Sequence, residues 1–148
     1  KAFDVDALCA KAVDYAPLKV VKVKTDTLSS IHTILQTPPE YIPDNIPLLV
    51  ADGHHIPVWK DGASLDDLLG SHSDAAMTVL QSTDPRFSYV RLNTNSRSSM
   101  DALSKQEPNS VIEVTMGARP SSNLAASGLY YFKQASYFKK AAKAATIF

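Results

Sequence analysis

SSNLAASGLYYFKQASYFKKAAKAATIF, residues 121–148, is the stretch on which the fold turns. It follows Pro120, opens on two serines, and carries four lysines and no acid. With Tyr131 at zero on a wheel of about 100° per residue, Leu124, Gly128, Ala135, Phe138, Ala142 and Ala145 fall within about 60° of it, a stripe of small and aromatic side chains. Tyr130, Tyr137, Ala141 and Phe148 widen that stripe on one side, while Lys133, Lys139, Lys140 and Lys143 gather on the opposite arc around Phe132. The spacing predicts a long, basic, amphipathic C-terminal helix with an apolar arc wider than one packing contact needs.

Such a helix can close the core of its own chain or dock on a neighbouring subunit. In the second case Tyr130, Tyr131, Phe132, Tyr137, Phe138, Lys139, Lys140 and Lys143 are the interface. A basic face opposite an aromatic one also suits anionic lipid, but an alanine-rich stripe is a weak anchor. Lysines suit phosphates as well, yet the acidic remainder of the chain repels a nucleic acid. Other protein subunits, including further copies of this chain, are therefore the expected partners.

That acidic remainder appears when the charge is followed along the chain. Formal net charge is zero, but residues 1–113 hold 10 Lys or Arg against 15 Asp or Glu, whereas residues 114–148 hold 5 against none. A dipole of this kind can close within one molecule or between molecules. An apolar fraction of 45% over 148 residues is enough for a folded domain with its own core, and we expect one domain. The single cysteine, Cys9, excludes an intrachain disulfide framework and fits an intracellular or particle-associated protein. Apolar runs all fall short of the roughly 18 residues of a membrane span, so a soluble protein is expected. A first residue of Lys fits a processed precursor, an excised domain or a trimmed chain.

Working back from the tail, SVIEVTM (110–116) and FSYVRL (87–92) read as strands, with SVIEVTM the last of them. Ser98 and Asp101 resemble the cap of a short helix running to Pro108. Ser64, with Asp66 and Asp67 after it, caps a helix over 64–81 that Gly70 can split in two. LLVADGHHIPVW (48–59) reads as a hairpin, because Asp52-Gly53 suits the positive φ angles of a type I′ turn, while Pro57 keeps its second strand short or at an edge. TPPEYIPDNIP (37–47) is too rich in proline for helix or central strand and reads as a stiff, extended connection. Tyr41 within it can serve as a partner-binding aromatic. Before it come a short helix over 27–36, a strand over 18–24 and a helix over 4–16. The mixture lacks regular alternation, so the expected class is α+β: a mixed, mainly antiparallel sheet of about five short strands with helices packed on it.

Signs of chemistry are sparse. His54 and His55 are neighbours on an expected strand and point to opposite faces, so one of them would have to meet His72 and Asp74 to hold a metal. No metal site, cofactor or catalytic residue is assigned on that basis. RLNTNSRSSMD (91–101) runs from a strand through a polar loop to a helix start, where Arg97, Ser98 and Ser99 form the candidate anion site. Cys9 sits within an amphipathic pattern, as a small buried thiol does.

The preferred reading is a non-enzymatic structural or assembly subunit, a protein–protein interaction domain such as a virion or particle component. A small hydrolase or nuclease-like effector, with a histidine base and Arg97 on an anionic substrate, is the alternative. A ligand- or nucleic-acid-binding domain is the third. Convergence of a histidine and Arg97 in one cleft separates the enzyme from the others.

Overall fold

The structure, a computed structural model, describes residues 7, 10, 17–23, 26–27, 29–53, 58–59, 62, 64–70, 72–93, 110–116 and 122–145. The expected helices over 4–16 and 98–108, the second strand of the expected hairpin over 54–57, and Cys9 lie mostly or wholly outside these residues. Two compact units are present, one formed by Lys1–Pro43 with Lys139–Phe148 and the other by Asp44–Phe138.

The Asp44–Phe138 unit contains an antiparallel five-stranded sheet, so the α+β class holds. Its strands are β1 (Leu48–Ala51), β2 (Ala75–Gln81), β3 (Ser88–Leu92), β4 (Val111–Met116) and β5 (Leu124–Phe132). β5 is the hub. Along one edge it pairs with β2, from Ala75↔Phe132 to Gln81↔Leu124. Along the other it pairs with β1 through Leu48↔Phe132 to Ala51↔Leu129, and with β3 at Tyr89↔Ala125. β4 pairs with β3.

β5 overturns the long C-terminal helix. Residues 124–132 are strand, and the helix that follows, Ala135–Ala145, has only 11 residues. Two cross-strand partners satisfy the backbone of this uncharged segment along most of its length, an arrangement that helix spacing does not reveal. The wheel holds where the helix does form: Ala135, Phe138 and Ala142 are buried along one side of it. Its first amides, which no helix can pair internally, are taken up by the segment that leads into β1, with Ala135 N–H donating to Ile46 O at 2.8 Å and Ser136 N–H to Asp44 O at 3.0 Å.

β2 overturns a second expectation. Ser64 caps a helix as predicted: its Oγ accepts from Asp67 N–H while Asp67 Oδ2 accepts from Ser64 N–H at 2.7 Å, a reciprocal box. That helix, Leu65–Leu69, stops at Gly70, and residues 75–81 are strand rather than a second helix. Two β-branched residues, Thr78 and Val79, lie along β5 where a helix would leave that edge unpaired. Leu68 turns inward to meet Leu129 and Tyr131, with Ala76 packed against them.

The Asp52-Gly53 turn also departs from expectation. β1 pairs with β5, and Gly53 does not adopt the positive φ that a type I′ turn requires; the residues expected to form the hairpin's second strand lie mostly outside the described ones. Asp52 N–H donates to Gly128 O at 2.8 Å and extends the β1–β5 ladder instead. Positive φ belongs to Gly128, at 87°. There the β2–β5 register slips between Met77 and Val79, so that Thr78 faces the bulged residues of β5, its hydroxyl bonded to Ser127 Oγ and reaching Leu129 O at 3.5 Å. Ser122 ties the start of β5 to β3, donating to Val90 O at 2.5 Å and accepting from Leu124 N–H at 2.9 Å.

In the other unit, Ser29 caps the short helix Ser30–Leu35, its Oγ accepting from His32 N–H at 3.2 Å. Residues 17–23 are irregular, which corrects the strand expected over 18–24: Leu18 and Val20 are exposed, and the described strands include no partner for this segment. The proline-rich connection is irregular as expected, apart from a single 3₁₀ turn at Pro39–Tyr41. Lys19 Nζ lies 5.4 Å from the centre of the Tyr41 ring.

Candidate functional site

The residues expected to form an interface separate by depth. Tyr131 and Phe138 are 6% and 7% exposed, and both serve the core of their own chain. Phe138 meets Phe132 edge to face, with ring centres 5.3 Å apart. Tyr130 and Tyr137 are half-buried; burial, and secondly the charge of Asp52, push the Tyr130 hydroxyl above its usual pKa. Lys139 donates to Ile42 O at 2.6 Å. Lys140 and Lys143 reach the surface.

His72 and Asp74 are exposed. His54, His55, Arg97, Ser98 and Ser99 lie outside the described residues, so the convergence of a histidine with Arg97 has no geometry here. Among the described residues, no three of His, Cys, Asp and Glu come together as metal ligands do. No described helix is long and apolar enough to cross a membrane.

The feature that sequence reasoning missed is the exposure of β4, a strand that it did read. Alternation in IEVTM suggests a half-buried strand with Ile112, Val114 and Met116 turned to the core. They are instead 54%, 59% and 84% exposed. Val114 pairs with Val90, so the two share a face of the sheet, yet Val90 is fully buried. The apolar cover over that face therefore ends between β3 and β4. β4 is also the last strand on its side, and among the described residues nothing pairs with its outer edge.

Edge strands commonly carry a lysine, a proline or a bare charge that discourages further pairing. β4 carries only Glu113, and Arg91 across the ladder neutralises it at 2.5 Å. The local cause is the register: Arg91↔Glu113 is a directly opposed pair on the face away from Val114. β3 thus supplies the countercharge that leaves β4 an uncharged, apolar edge. The sheet's other long edge, β2, is also free of charge, but its exposed residues Val79 and Leu80 are less open and the register slip interrupts it.

No family model matches the chain, and no curated protein or solved structure matches it significantly.

Proposed function

We propose that this protein is a non-enzymatic building block of a protein assembly, a structural subunit of a larger particle whose partners are other protein subunits. The observation that carries this reading is the row of apolar side chains left in water along β4, which is the last strand on its side of the sheet among the described residues. Contiguous apolar surface of that kind is costly to leave hydrated and marks contact with another chain. The segregated charge agrees with it, since an acidic body and a basic tail on separate copies attract. Native mass measurement across a range of protein concentrations tests the reading. The expected outcome is a mass that rises by whole multiples of the 16.1 kDa chain. A monomer at every concentration overturns it.

A further inference from the structure

We propose that the partner at β4 is a second copy of this chain, adding its own β4 antiparallel to the first so that Val114 lies opposite Val114 of the second copy. This rests on the assembly reading above and specifies the contact.

The sequence of β4 decides among the possible registers. An antiparallel pair related by a twofold axis is centred on one residue of each strand. Centring it on Glu113 sets two carboxylates against each other, which is unfavourable. A centre between two residues would oppose side chains of different faces, which directly paired antiparallel residues never are, so the axis passes through one residue. Centring it on Thr115 leaves Ile112 facing the residues beyond the strand. Only the Val114 centre sets Ile112 against Met116, Val114 against Val114 and Met116 against Ile112, so that all three apolar residues cover one another on one face. On the other face each Glu113 meets Thr115 of the second copy, and each keeps its Arg91. No like charges meet and no ion pair is broken.

The bulge positions point the same way. The β3–β4 register slips between Arg91 and Leu92, at the start of β4, and leaves Glu113 to Met116 in regular register. The β2 edge slips at its middle, which twists it away from a straight partner. β4 is thus the better template for a second strand.

Two variants test this in a Cys9→Ala background, where each new thiol is alone. Directly opposed Cβ atoms lie about 4.5–5.5 Å apart, whereas positions one residue off the axis meet only diagonally at about 7–8 Å, too far for a disulfide. Val114→Cys should oxidise to a covalent dimer and Thr115→Cys should not. Val114→Lys, at an exposed position that leaves the fold intact by circular dichroism, should raise the dimer dissociation constant about tenfold or more by opposing two charges. Self-association that persists unchanged in Val114→Lys, or a Thr115→Cys dimer as abundant as that of Val114→Cys, overturns this contact and leaves the assembly reading standing. A purified chain that stays monomeric overturns both.

Discussion

Gly128 shows how much one residue can decide. Its φ of 87° is strained for any side chain, and a Cβ there would meet Asp52 Cβ at 2.7 Å. Gly128→Ala should therefore cost about 2 kcal/mol or more in chemical denaturation, whereas Gly53→Ala, with nothing near its added Cβ, should fall within about 0.5 kcal/mol. Removing the neighbour as well, in Asp52→Gly with Gly128→Ala, should recover only the part of the loss due to contact; full recovery would mean that the φ strain is absent. The sequence pointed to the wrong glycine because Asp-Gly is a strong local turn signal, while the demand on Gly128 comes from a strand 76 residues away in sequence at Asp52. Asp84 is a second local case. Hydrogen bonds from the Arg86 side chain and backbone hold its carboxyl at about 2, below its usual 3.8. Because the folded value is the lower one, the stabilisation is present above 3.8 and is lost as pH falls toward 2. An NMR titration of Asp84 should place its midpoint near 2, and Arg86→Gln should move it back toward 3.8; a midpoint unmoved by that change would assign the shift to another cause.

Between residues and the whole molecule stand the elements, and here legibility follows period and partner. The strands β3 and β4 and the cap at Ser64 rest on local chemistry, and the sequence displays each of them. β5 was hidden by its own bulge. Its buried residues Ala125, Ala126 and Leu129 stand one and three apart, as on a helix, because three residues of β5 face the single Thr78 and reset the alternation; from Leu129 to Tyr131 the period of two returns. The outward turn of β4 was hidden for a different reason, since alternation identifies two faces but not which one is covered. The candidate site was accordingly illegible, while the buried members of the expected interface, Tyr131 and Phe138, were recognised as important residues without their depth being apparent. The position of β5 has a direct consequence for truncation. A chain ending at residue 120 loses the strand with which β1, β2 and β3 all pair, so it should show no cooperative thermal transition. Phe138→Ala keeps β5 and removes one buried ring, and should lower the unfolding free energy by about 3 kcal/mol at any protein concentration. A cooperative transition in the 1–120 chain would show that β5 is not the hub of the sheet.

At the scale of the whole molecule, charge and apolar surface make opposite demands on salt, and that opposition separates two ways of assembling. If copies join mainly through Lys140 and Lys143 of one and the acidic body of another, the attraction is between exposed charges and is screened over a Debye length of about 10 Å at 0.1 M salt. If they join along β4, the contact buries Ile112, Val114 and Met116, and its ion pair, Arg91 with Glu113, lies within each copy rather than between them. Salt then has little to weaken. At neutral pH, where formal net charge is zero, self-association should hold or strengthen as sodium chloride rises from about 0.05 to 0.5 M, and sulfate should strengthen it further by favouring apolar burial. Acid reverses the balance. As pH falls below about 4 most of the 15 acidic side chains become protonated, Asp84 only nearer 2, whereas the 15 lysines and arginines keep their charge and the 4 histidines gain one, so each copy becomes strongly cationic and repels the next. The dissociation constant should therefore rise on acidification and fall again when salt screens the repulsion, provided the fold persists by circular dichroism. Sedimentation velocity at the two pH values across that salt range measures both effects, and dissociation by salt at neutral pH would assign the contact to the lysines instead of β4.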